Sequence, residues 1–110
     1  MRLQFSGGEF VNYYASLTEI QRQEFIARVL GKTVDWSCGV FDVEADGTII
    51  LDCMDMVMPM IFLTYLEQVP LEISKFLNKD DSIRFTGSIE SVQEINGILA
   101  ANIIDVQIVK

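Results

Sequence analysis

Between residues 51 and 70 the chain reads LDCMDMVMPMIFLTYLEQVP, with methionine at every second position from Met54 to Met60. In an extended chain that spacing puts all four thioethers on one side. With Cys53 beside them they could ligate Cu(I), which favours soft sulfur donors. They could also form an adaptable binding face, because methionine repacks readily against varied partners. The expected role is core or strand-edge packing, with Met56 and Met58 as the part of the stripe turned to a partner. A membrane span is excluded on length: Met56 to Leu66 gives eleven uncharged residues, and a spanning helix needs about 20.

A second group is acidic. Asp35, Asp42, Glu44, Asp46, Asp52 and Asp55 crowd one stretch of 21 residues. Paired carboxylates can hold a hard cation or move protons. No calcium-loop spacing is present, so a solvated acidic face is expected. In its sharper form that face imitates a nucleic-acid backbone, with Asp42, Asp52 and Asp55 meeting a basic partner. The third group is aromatic and basic. Trp36, Phe41 and Phe85 fall on the inward parity of their segments. Phe62 and Tyr65 have opposite parity to each other, so at least one is expected outside. Arg84 is the one basic residue inside a predicted strand. Phe62, Tyr65 and Arg84 are therefore the candidates for stacking and pairing with a single-stranded nucleic acid.

What is missing narrows the chemistry. The 110 residues include no histidine and two cysteines. That removes the usual general base, the Ser-His and Cys-His pairs and the commonest zinc ligand. No phosphate-cradling glycine loop, nucleophile elbow or HExxH helix occurs. The expectation is a non-enzymatic protein with no cofactor, no metal and no catalytic residue. MRLQFSGGEF has no long apolar stretch and shows no signal peptide, so a cytoplasmic location and free thiols at Cys38 and Cys53 are expected. Pairing Glu44 with Thr48 and placing a bulge at Gly39 would bring Cys38 opposite Cys53, which makes a cross-strand disulfide conceivable.

The formal charge is −8. Residues 1–31 are neutral, and the excess falls on residues 32–110, with five basic against thirteen acidic side chains. Such a surface repels phosphate backbones at long range and attracts basic surfaces.

The elements that would position these groups follow from periodicity. SLTEIQRQEFIARVLGK reads as a helix, with a Thr18–Gln21 capping box, an apolar side of Ile20, Phe25, Ile26, Val29 and Leu30, and Gly31 as its stop. EFVNYYAS before it reads as a short helix or turn. From Thr33 the period falls to two. TVDWSCGV and FDV form one strand broken at Gly39, where the parity flips and a bulge is expected. Asp46-Gly47 turns the chain, and TIILDC returns. VMPMIFLTYL is a third strand and VPLEISKFLNKDD a short helix with Leu71, Ile73, Phe76 and Leu77 on its apolar side. SIRFTGSIESVQEI is a fourth strand with a bend at Gly87. Asn96-Gly97 marks a two-residue hairpin, and ILAANIIDVQIVK closes the chain.

Helix, three strands, short helix and two strands describe a mainly β protein: a five-stranded oligonucleotide/oligosaccharide-binding (OB) barrel with an N-terminal helix and a short helix between strands 3 and 4. The rival is an open five-stranded α+β sheet. Residues 1–31 are read as a helical segment packed on the barrel of residues 32–110. GKTVDWSCGVFDVEADGTIIL, PLEISKFLNKDDSIRFTGSIESV and NIIDVQIVK together resemble the small bacterial and phage OB-fold proteins grouped as tRNA-anticodon-domain-like. The phrase KDDSIRFTG carries much of that resemblance, which implies a helix before the barrel and nucleic-acid binding.

The acidity, the soft apolar strand and the lack of catalytic groups point to a binding module for a basic protein partner. Its specific form is an inhibitor or nucleic-acid mimic of a nucleic-acid-handling complex. The alternative is a single-stranded nucleic-acid-binding protein. No membrane contact is expected, and a dimer through a strand edge is conceivable.

Overall fold

The computed structural model describes residues 3–53 and 60–109. Two helices come first, α1 (Gly7–Ala15) and α2 (Glu19–Val29). Ser6 and Glu9 form a reciprocal capping box at α1, and Thr18 and Gln21 do the same at α2. The strands are β1 (Thr33–Val43), β2 (Ile49–Asp52), β3 (Ile61–Leu66), β4 (Ser82–Ile95) and β5 (Ile98–Val109), and α3 (Leu71–Ser74) lies between β3 and β4. Their order, β1-β2-β3-β5-β4, closes on itself as a barrel. Only the β3–β5 pair is parallel. Closure excludes the open α+β sheet and gives the expected OB architecture.

The turns obey their local chemistry. Asn96 and Gly97 both take positive φ, as a two-residue type I′ hairpin requires, and Ile95 pairs with Ile98. Gly87 sits at a register shift in β4, where the strand bends against β5. A methyl added there would collide with the Ile103 side chain and stand 2.9 Å from the Ile104 carbonyl.

Three expectations are corrected. Burial alternates through Val34, Trp36, Cys38 and Val40 without a flip at Gly39. The bulge falls two residues later, between Val40 and Asp42, and leaves Phe41 54% exposed rather than inward. Gly39 stays in register with both Asp52 and Ser82, while Val40 fills the core and exchanges backbone hydrogen bonds with Asp80 and Asp81. On α2, Phe25 and Val29 are buried but Ile20 is 71% exposed, because at 3.6 residues per turn it falls on the opposite side of the helix from them. On α3 the apolar side chains Leu71, Ile73 and Phe76 face outward, and Ser74 and Leu77 turn in. The buried Ser74 hydroxyl donates to the Gly47 carbonyl at 2.8 Å, which ties α3 to the β1–β2 turn.

The core runs continuously from the helices into the barrel. Phe10 of α1 stacks on Phe62 of β3 at 5.6 Å and meets Trp36 of β1 edge-on at 5.6 Å. Trp36 Nε1 donates to the Phe5 carbonyl at 2.6 Å, so the chain entering α1 satisfies the one polar atom of a buried indole. Tyr14 donates from its hydroxyl to Glu94 at 2.8 Å, and Arg22 reaches the same carboxylate at 3.3 Å. Burial, then the hydrogen bond to Glu94, pushes the Tyr14 hydroxyl up to about 12.

Candidate binding faces

The first face is built by the β1–β2 hairpin. Glu44 donates its N–H to Thr48, as expected, and Gly47 closes the turn with φ near +93°. Asp42 pairs with Ile50, and Asp52 pairs with Gly39. Strand partners share a face, and residues two apart on one strand do too, so Asp42, Ile50 and Asp52 lie on one side. Asp42 is exposed and accepts from the Val43 N–H at 2.8 Å. Asp52 is half-buried, and Glu44 and Asp46 are exposed at the turn. The Thr48 N–H, 2.9 Å from Asp46, holds that carboxyl below the usual carboxylate range. The bulge leaves Phe41, the chain neighbour of Asp42, exposed, a feature that a regular period of two hides. Asp55, Met56 and Met58 lie outside the described residues, as do Met54 and Pro59; Met60 packs partly buried against the core.

Among the described residues, β1, β2, β3, β5 and the turns at 44–48 and 96–97 contain no lysine or arginine. OB proteins that bind nucleic acid use the β2–β3 face and the loops beside it. Here the described part of that region carries carboxylates, apolar side chains and a few uncharged polar groups such as Thr48 and Tyr65.

The sequence-derived stacking set does not assemble. Phe62 is fully buried between Phe10 and Trp36, so it is a core residue. Tyr65 is half-buried and pairs with Ile50 and Asn102. Arg84 pairs with Val109 at the far end of β5. The seven residue steps from Asn102 to Val109 span about 20 Å at strand rise, and β5 separates β3 from β4. Arg84 also gives Nε and Nη2 to Asp35 at 2.9 and 2.8 Å.

The cysteines differ from expectation as well. Cys38 and Cys53 are joined by a disulfide with 4.4 Å between the Cα atoms, and neither thiol is free. The offset that brings them together comes from the Phe41 bulge rather than from one at Gly39. Gly7, at the start of α1, lies against this bridge so closely that a Cβ there would stand 2.5 Å from Cys53 Cβ. Among the described residues no group of three or more Cys, Asp or Glu side chains is placed to hold a metal ion. Among the described residues no helix is long and apolar enough to cross a membrane.

A second opening lies on another side of the barrel. It is a groove of about 850 Å³ lined by residues of α3 and the chain after it, by Ser82, Ile83 and Arg84 of β4 and by the last residues of β5.

No protein-family model and no curated protein matches the chain. Among solved structures it is similar to a putative nucleic acid-binding lipoprotein from Klebsiella pneumoniae subsp. pneumoniae MGH 78578. The match has a TM-score of 0.65 at 13% identity and covers 96% of this chain and 92% of that one. At that identity the likeness is one of fold: both chains carry the OB-like barrel.

Proposed function

We propose that this chain is a non-enzymatic OB-fold binding module that docks its acidic hairpin on a basic protein surface. One observation carries the reading. The β1–β2 hairpin carries Asp42, Glu44, Asp46 and Asp52 together with an exposed Phe41, with no described cation on its strands. An exposed aromatic concentrates affinity at an interface, and charges on the same element orient a partner. In its specific form the module is a nucleic-acid mimic that inhibits a nucleic-acid-handling complex. The bonded Cys38–Cys53 pair favours work in a compartment where disulfides persist, in place of the cytoplasm expected from sequence.

The alternative is single-stranded nucleic-acid binding. It draws support from the resemblance to the tRNA-anticodon-domain-like group and from the description of the Klebsiella neighbour. Fluorescence anisotropy separates the two. Labelled single-stranded DNA, single-stranded RNA and an arginine-rich peptide containing leucines are titrated at low and near-physiological salt. The proposal expects salt-sensitive binding of the peptide, weakened by Phe41→Ala and by Asp42→Asn with Asp52→Asn, and no oligonucleotide binding. Oligonucleotide binding that survives moderate salt, with no peptide binding, transfers the function to the alternative.

A further inference from the structure

A small cleft on the helical side of the molecule shares no residue with the acidic hairpin. It lies where the chain entering α1, the two helices and the residue before β1 meet, and its volume is about 230 Å³. Phe5, Tyr13 and Phe25 line it with three aromatic rings. Phe5 stacks on Tyr13 at 5.6 Å, and Phe25 meets Tyr13 edge-on at 5.1 Å. The rings hold one another in place, yet Tyr13 stays 42% exposed. Leu3 and Val29 complete the apolar wall, and Arg28 and Lys32 supply positive charge. Among the described residues no carboxylate lines the cleft, although the chain as a whole carries −8.

Arg28 points to the kind of ligand. Among the described arginines, Arg22 holds Glu94 and Arg84 holds Asp35. Arg28 is exposed in the last turn of α2. Among the described residues it makes no hydrogen bond or ion pair, Glu24 one turn earlier included. A guanidinium is a planar fork that matches a carboxylate with two parallel hydrogen bonds. A ring-lined cleft beside an uncommitted guanidinium fits a ring that carries an acid.

Size narrows the ligand further. At the packing density of a protein interior, about 0.74, this cleft accepts roughly 170 Å³ of van der Waals volume, on the order of a dozen heavy atoms. That is an aromatic ring system with a short acid arm. A nucleotide, with base, sugar and phosphate, is too large. An amino acid fits by size, but its ammonium group would meet cations and no carboxylate in the wall.

We propose that this cleft binds a free aromatic carboxylic acid of one or two rings in its ionised form. The ring enters among Phe5, Tyr13 and Phe25, the carboxylate pairs with Arg28, and the charge of Lys32 adds attraction.

The test titrates 3-phenylpropionate and 1-naphthylacetate into the intact protein, followed by NMR of its aromatic and arginine side chains. Both acids are expected to bind at millimolar concentrations or below, as the contact area of so small a ligand allows. They should move the ring resonances of Phe5, Tyr13 and Phe25 and the Nε–H of Arg28. The matching amides keep the ring and lose the charge, and should bind about tenfold more weakly. Arg28→Gln should weaken the acids by a similar factor, and Tyr13→Ala by about fivefold. Circular dichroism of Arg28→Gln should match the wild type, and the comparison of acid with amide needs no variant. The proposal is overturned if neither acid binds, if the amides bind as well, or if the shifts fall away from the cleft. It is also overturned if adenosine monophosphate or a peptide ending in phenylalanine binds more tightly than both free acids.

Discussion

Arg84 of β4 grips Asp35 of β1 with two parallel hydrogen bonds, although 49 residues separate them in sequence. The strands place them on a diagonal: Arg84 is opposite Ser37, and Asp35 is opposite Thr86. The hydrogen bonds to Asp35, and then its charge, raise the guanidinium pKa further above its already high value. With both donors committed, Arg84 is a strand-to-strand clasp more than a phosphate contact. Were single-stranded DNA bound at all, Arg84→Ala is expected to leave that affinity within a factor of about two at any one salt concentration. A tenfold loss by anisotropy would return Arg84 to the nucleic-acid site.

The disulfide closes a loop of 15 residues that contains the whole β1–β2 turn. For a loop of this length chain entropy accounts for about 3 kcal/mol of stability. Reduction, or Cys38→Ser with Cys53→Ser, is expected to lower Tm by roughly 10–20 °C. Thiol titration of the unreduced, denatured protein should find no reactive sulfhydryl. Two reactive thiols together with an unchanged Tm on reduction would refute the bridge.

Phe10 lies where the helices meet the barrel, against Phe25, Trp36 and Phe62. Phe10→Ala is expected to cost about 3–5 kcal/mol, the range for an aromatic removed from a packed core. Ile20→Ala, on the exposed side of α2, should change stability by less than about 0.5 kcal/mol. Urea unfolding of both variants followed by Trp36 fluorescence makes the comparison. Equal losses would mean that α1 does not share the barrel's core.

Tyr14 gives the fold an alkaline limit. Its folded pKa, raised to about 12, lies above the value of 10.0 expected in the unfolded chain. Above pH 10 the unfolded chain releases this proton and the folded chain keeps it, so unfolding becomes easier. The contribution is complete below pH 10 and declines as the pH rises towards 12. Urea midpoints measured from pH 8 to 11.5 should fall more steeply for the wild type than for Tyr14→Phe. Parallel curves would show that Tyr14 titrates normally in the folded protein.

Much of the architecture was legible because it is written locally. The Thr18–Gln21 cap, the Asn96-Gly97 turn and the period of two each involve neighbours within a few residues. The sites were less legible because they depend on register and closure. Moving one bulge from Gly39 to Phe41 turns an expected core ring into an exposed one. Tyr65 and Arg84 look compatible as residue types, but the parallel β3–β5 pairing puts them at different ends of β5. The α3 apolar residues suggested a buried side; with one helical turn to work with, Ser74 and Leu77 take the inward positions. No short-range signal marks Asp35 as the partner of Arg84.

The hydrogen bond from Ser74 to Gly47 bears on how the acidic hairpin would meet the proposed partner. Lifting the turn would strand a buried hydroxyl and a buried carbonyl, at a cost of about 1–3 kcal/mol for each unsatisfied group. The tip is therefore shaped before any encounter. The conformational freedom that a loose loop would surrender on docking, about 0.5–1.5 kcal/mol per immobilised side chain, is already given up during folding. A surface fixed in this way discriminates by fit, and it releases a mismatched partner faster than a loop able to remould around it.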